Sequence, residues 1–118
     1  MGSVIEVHAR ERVLVLSGSG EWDLATADQV RPHLEIAVSG AWPLIVVDLA
    51  RVDFMDVAGA KPIRTAVRSL RSSGRKILLV HPRSHVEKVL RLTGLGDFVV
   101  PVEELPNVDH VQELLGLA

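Results

Sequence analysis

Three aspartates stand where side chains could meet: Asp23 in Gly20-Glu21-Trp22-Asp23, and Asp53 and Asp56 in Val52-Asp53-Phe54-Met55-Asp56. Carboxylates gathered at one end of a sheet can hold Mg²⁺ or divide acid and base work between them. No nucleophile stands beside them in the motif. Aspartate also favours turns and helix starts, so turn-capping and partner contact account better for these positions. The five histidines show no HExxH or similar metal spacing, and His81-x-x-x-His85 straddles a turn and a helix start. Gly18-x-Gly20 lacks the rest of a dinucleotide fingerprint. No metal or cofactor is expected. Trp22 and Trp42 fall in loops, where a packed lid is expected in preference to a binding platform.

A second pattern concerns charge. Lys61, Arg64, Arg68, Arg71 and Arg75 recur at intervals of three and four, with no acid between Lys61 and Arg75. On a helix they share one flank, beside the apolar stripe. The flank is either a solvated face or a basic ridge suited to an acidic partner or an anionic surface. Lys61 and Arg64 lie nearest the Asp56 end.

These residues must be held by elements, and the central one is Leu44 to Gly59. Leu44-Ile45-Val46-Val47 is an unbroken apolar run, as in a strand buried on both faces. Asp48 and Leu49 are expected to close it. After Val57-Ala58-Gly59 comes a helix to about Ser73, with Ile63, Ala66, Val67 and Leu70 as its inner stripe and Gly74 as its stop. Pro62 fits only a first turn, so this helix should begin near Ala58 to Ala60.

Before that segment, Val4–Ala9 and Val13–Ser19 form an expected hairpin across Arg10-Glu11-Arg12, and Gly18-Ser19-Gly20 breaks the second strand. A helix to about Val38 follows, with Thr26 and Gln29 as a possible capping box and Ala27, Val30, Leu34 and Ala37 inside. Pro32 should kink it or delay its start. After the central helix come a strand from Lys76 to His81, a helix capped by Ser84-x-x-Glu87, a short strand from Phe98 to Val102 and a last helix from Pro106. Val111, Leu114 and Leu115 face inward on that last helix. The order β-β-α-β-α-β-α-β-α predicts an α/β fold, mostly parallel, with an N-terminal antiparallel hairpin and about four helices. The carboxyl ends of the parallel strands should share one rim, carrying the three aspartates.

Composition agrees. A chain of 118 residues is expected to be one domain, residues 1–118. Two Trp, two Phe and no Tyr mean an aliphatic core. A net charge of −2 gives no reason for bulk nucleic-acid binding. Absence of cysteine excludes disulfides and thiolate metal sites. Met1-Gly2-Ser3 begins no signal peptide, Glu6 stands where a myristoylation signal needs Ser or Thr, and no apolar run is long enough to span a membrane. A cytoplasmic protein is expected.

Three phrases, in order and in register, resemble the STAS domain family of sulfate transporters and anti-sigma-factor antagonists. Gly20-Glu21-Trp22-Asp23 is similar to the family's Gly-Glu-Leu-Asp turn. Val46 to Gly59 resembles the strand that leads to Asp-Ser-Ser-Gly. Leu90-Arg91-Leu92-Thr93-Gly94-Leu95 resembles Leu-x-x-Thr-Gly-Leu. The resemblance implies a non-catalytic module that binds a partner protein. In the antagonist branch that partner is an anti-sigma factor of kinase-like fold, which phosphorylates the second Ser of Asp-Ser-Ser-Gly. The implied contact residues are Asp23, Asp56, Val57, Ala58, Gly59, Lys61 and Arg64. The acceptor position is Ala58, which has no hydroxyl, nor has Val57. The expected function is an antagonist not switched at that position. The rival is a cytoplasmic STAS subunit of a lipid-transport complex that docks on an ABC transporter ATPase. A homodimer remains open under either reading.

Overall fold

Leu44 to Val47 are buried on both sides because their strand is central in the sheet. The computed structural model describes residues 4–10 and 12–104. Its strands are β1 (Val4–Arg10), β2 (Val13–Trp22), β3 (Leu44–Met55) and β4 (Lys76–Val80), hydrogen-bonded in the order β1-β2-β3-β4. β1 pairs antiparallel with β2, and β2, β3 and β4 run parallel. The helices are α1 (Ala27–Ser39), α2 (Val57–Leu70) and α3 (Ser84–Leu92). This is the α/β architecture expected, with its hairpin at the start.

Strand alternation divides the core. Leu14, Leu16, Ile45, Val47, Ile77 and Leu79 face one way and meet the buried stripes of the helices, including Val30, Leu34, Ile63, Ala66, Val86 and Leu90. Val13, Val15, Leu44, Val46 and Val80 form a second buried cluster on the other face, with Leu78 and Val100 against it.

The strands run further than the apolar pattern suggested. β2 passes through Gly18-Ser19-Gly20 to Trp22, with Gly20 in the left-handed region at φ 80°. β3 continues past Asp48 and Leu49 to Met55. Ser17 pairs with Asp48 but Ser19 with Arg51, and Gly20 pairs with Val52 but Glu21 with Phe54. Each step inserts one extra residue in β3, a bulge that shifts the inward phase by one. Leu49, Val52 and Met55, three apart, therefore all point inward and are buried.

Several local expectations are corrected. Pro32 and Pro62 each lie sixth in their helix, beyond the first turn. Neither delays its helix: α1 starts at Ala27 and α2 at Val57, one residue before the expected range. A proline there leaves the carbonyl four residues back without its helical donor. α2 ends at Leu70, capped by Arg71, and Gly74 takes φ 73° in the turn beyond. Ser84 is already helical, and Arg83 is the N-cap, its carbonyl accepting from the Glu87 amide at 2.8 Å. The Ser84–Glu87 capping box is therefore not formed; Glu87 pairs with Arg91 one turn on. Phe98 to Val102 is not a strand. Gly96–Phe98 is a 3-10 turn, and Val99 makes a single parallel bridge to Leu79. The expected helix from Pro106, with Val111, Leu114 and Leu115, lies outside the described residues.

Candidate functional site

The parallel register brings the end of β2 beside the end of β3, Trp22 opposite Met55. The Asp56 amide donates to the Trp22 carbonyl at 3.2 Å, extending that pairing to the first residue beyond β3. At Asp56 the chain turns into α2. Its carboxylate accepts from the Gly59 amide at 2.8 Å, the geometry of an N-cap. Val57 and Ala58 are the first two helical residues, whose amides no helical carbonyl can reach. The positive end of the helix dipole thus opens at the rim. Val57 is 60% exposed and Ala58 is partly exposed.

Gly59 is buried and packs on backbone. A Cβ there would lie 1.7 Å from the Trp22 carbonyl oxygen and 3.0 Å from the Asp23 amide nitrogen. The first turn of α2 therefore sits directly on the end of β2. Trp22, expected in a loop, is instead fully buried, with its Nε1 donating to the Ser19 carbonyl at 3.3 Å. Gly18 makes room for the indole: a Cβ would come within 2.4 Å of the ring. Trp42 is half-buried against the core.

Asp23 does not join Asp56. Its carboxylate accepts from the Thr26 amide at 3.1 Å, while its own amide donates to the Thr26 hydroxyl at 3.0 Å. This is a reciprocal capping box, Asp-x-x-Thr, three residues upstream of the Thr26–Gln29 box expected. The buried Thr26 hydroxyl donates onward to the Glu21 carbonyl at 2.7 Å. Asp53 turns elsewhere again, to Arg83 at 3.3 Å, and its carbonyl contacts the His85 Nε2 at 2.7 Å. The three aspartates share a rim but not a site. His81 lies 3.6 Å from Asp48 and His85 on Asp53, so the two histidines have separate partners.

The basic flank divides as well. Lys61, Arg64, Arg68 and Arg71 are exposed and have no carboxylate partner among the described residues. Arg75 does not belong with them. Its guanidinium donates to the carbonyls of Trp42 at 2.8 Å, Val38 at 2.7 Å and Ala37 at 3.1 Å. It ties off the C-terminal end of α1 and the loop after it.

Sequence reasoning passed over two further rim residues. Leu24 is 79% exposed in the turn after Asp23, and Phe54 is 45% exposed just before the α2 cap. With Val57 they make this end of the molecule apolar as well as cationic. The signal available was a leucine and a phenylalanine next to the aspartates in both rim phrases.

Such an arrangement defines an α/β module that presents a capped, apolar-flanked helix N-terminus at the open end of a sheet. The chain belongs to the STAS domain family, whose model matches residues 4–113. Among similar proteins, the anti-sigma F factor antagonist of Lysinibacillus sphaericus is 27% identical over 112 residues, 94% of this chain and 95% of that one. An anti-sigma factor antagonist from Mycobacterium paratuberculosis superposes with a TM-score of 0.76 at 25% identity, over 87% of each chain. The anti-sigma factor antagonist SpoIIAA, solved in its unphosphorylated form, shares the fold with a TM-score of 0.75 at 23% identity, over 98% of this chain and 99% of that one.

Proposed function

We propose that this chain is an anti-sigma-factor antagonist: a non-catalytic cytoplasmic module of one domain that binds an anti-sigma factor of kinase-like fold and frees a sigma factor by competition. The observation that carries the reading is the rim at Ala58. It stands second in α2, partly exposed on a helix terminus held open by the Asp56 cap. The names of the relatives point the same way. Within the implied contact set the roles divide. Val57, Ala58, Lys61 and Arg64 touch the partner. Asp23, Asp56 and Gly59 position them, because the carboxylates are spent on caps and Gly59 is buried. The rival docking on an ABC transporter ATPase would use the same rim, and the named relatives favour the antagonist.

The test is a calorimetric titration of the anti-sigma factor that co-purifies with the tagged chain, against wild type and Ala58→Asp. A carboxylate at the second helical position suits the dipole, so the variant stays folded. The partner must then desolvate that charge, and affinity should fall at least about tenfold, or about 1.4 kcal/mol. Equal affinities would remove the rim from the interface and the mechanism with it.

A further inference from the structure

We propose that β1 pairs with β1 of a second copy, antiparallel about a twofold axis through Val7, to join two four-stranded sheets into one across a homodimer. The inference stands apart from the rim, which is built on β3 and α2, two strands from this edge.

β1 is the outer strand, so one side of it has no neighbour among the described strands. Its seven residues pair with β2 without a bulge, from Val4 opposite Ser19 to Arg10 opposite Val13. Between Arg10 and Val13 lie two residues, and so short a connection is closed by a hydrogen-bonded pair. Arg10, His8 and Glu6 therefore spend their amides and carbonyls on β2. Ile5, Val7 and Ala9 point theirs outward. Of the devices that keep edges apart, this edge carries charged residues, Glu6 and Arg10, but no proline, lysine or bulge. The opposite edge, β4, has only five residues and is bridged at Leu79 by Val99.

The outward groups, together with full overlap of the seven residues, fix the register. With Val7 facing Val7 of the second copy, Ile5 faces Ala9, and every outward residue meets an outward residue. A slip of one residue would set outward groups against residues already bonded to β2. The same register places Glu6 opposite His8 of the second copy, twice, as non-hydrogen-bonded pairs whose side chains approach closely. Twofold symmetry thus turns the two polar residues of the strand into complementary partners. Among the described residues Glu6 has only long, exposed ion-pair contacts, 3.6 Å to His8 and 3.8 Å to Arg51.

The apolar face agrees. Val7 is 50% exposed and Ile36 on α1 is 71% exposed. With His33 and Trp42 they help line a cleft of about 180 Å³ between the hairpin and α1. Pairing about Val7 brings the two clefts together across the axis and removes that surface from water.

Sedimentation equilibrium of the full chain is the test. Wild type should dimerise in the micromolar range. Val7→Pro deletes an amide that β2 does not use, so its melting temperature should hold while dimer affinity falls at least tenfold. Glu6→Lys should also weaken the dimer, and the double exchange Glu6→His with His8→Glu should restore it. A wild type still monomeric at about 1 mM overturns the proposal. So does a dimer that folded Val7→Pro, or Glu6→Lys, leaves intact.

Discussion

Gly59 is held to glycine by its neighbour's backbone. Nothing flexible stands at 1.7 Å from its missing Cβ; the Trp22 carbonyl oxygen does, and it is fixed by the Asp56 amide. An added methyl must push α2 off β2 and take the Asp56 cap with it. Gly59→Ala should therefore cost about 3 kcal/mol or more, in the upper range for single substitutions. The urea midpoint measures it, and a loss below about 1 kcal/mol would mean that this helix start gives way freely. Gly18 presents a milder case, because a Cβ there meets the Trp22 ring, a side chain that can shift. Ala58, one residue before Gly59, is partly open to solvent. A position closed to any side chain and one partly open to solvent are thus adjacent in the first turn of α2.

Between elements, the two cationic behaviours on and after α2 separate by what they touch. Arg75→Ala removes three charge-assisted bonds to carbonyls of α1 and its following loop. A loss of about 2 kcal/mol in thermal or urea unfolding is expected. Lys61→Glu and Arg64→Glu should change stability by no more than about 0.5 kcal/mol. They should instead slow association with the rim's partner and weaken its dependence on salt, with Arg71→Glu, at the C-cap of α2 and farthest from the rim, as the milder control. If Arg75→Ala unfolds at the wild-type midpoint, the clamp contributes nothing. Sequence spacing could not make this distinction, because a helical wheel counts Arg75 with the ridge although α2 ends at Leu70. The order of elements from β1 to α3 was legible because each apolar stripe has one period. β3 was legible only to Leu49. Beyond it the two bulges change the inward spacing from two to three, and no single period describes Leu49, Val52 and Met55. Phe98 to Val102 looks like a strand by composition, yet its backbone pairing with β4 stops at the Val99–Leu79 bridge and the Val100 amide on the Leu79 carbonyl at 3.0 Å. At the site, the Asp56 turn was legible from its phrase. The Asp23–Thr26 box was masked by Gln29, which offers an equally good capping pattern one turn later.

For the molecule as a whole, the question is what state the proposed antagonist occupies. A phosphate at the start of α2 would face the open amides of Val57 and Ala58 and the positive end of the helix dipole. It would add about −1.5 to −2 charges to a surface that is apolar and cationic, with Leu24, Phe54 and Val57 exposed around it and Lys61 and Arg64 beyond them. In the proposed antagonist a phosphate there would change the character of the contact surface, and Ala58 offers no oxygen to carry it. A module of this kind is governed by its own concentration, by competition for the anti-sigma factor, and by whatever oligomer it forms. Ala58→Ser should restore the acceptor alone. Asp56 remains the cap, Ala58 is partly exposed, and a hydroxyl fits there without displacing buried groups. Incubated with ATP and a kinase-like partner, the Ser variant should gain one phosphate in intact-protein mass spectrometry, mapped to residue 58. The same partner should bind wild type and leave it unlabelled. Phosphate on wild type at Thr26 or Ser84 would refute the idea of a permanently active domain, although Thr26 is buried and its hydroxyl is committed to the Glu21 carbonyl. A Ser variant that binds the partner but stays unlabelled would show that this partner places no ATP at the rim, and would favour the docking-subunit reading.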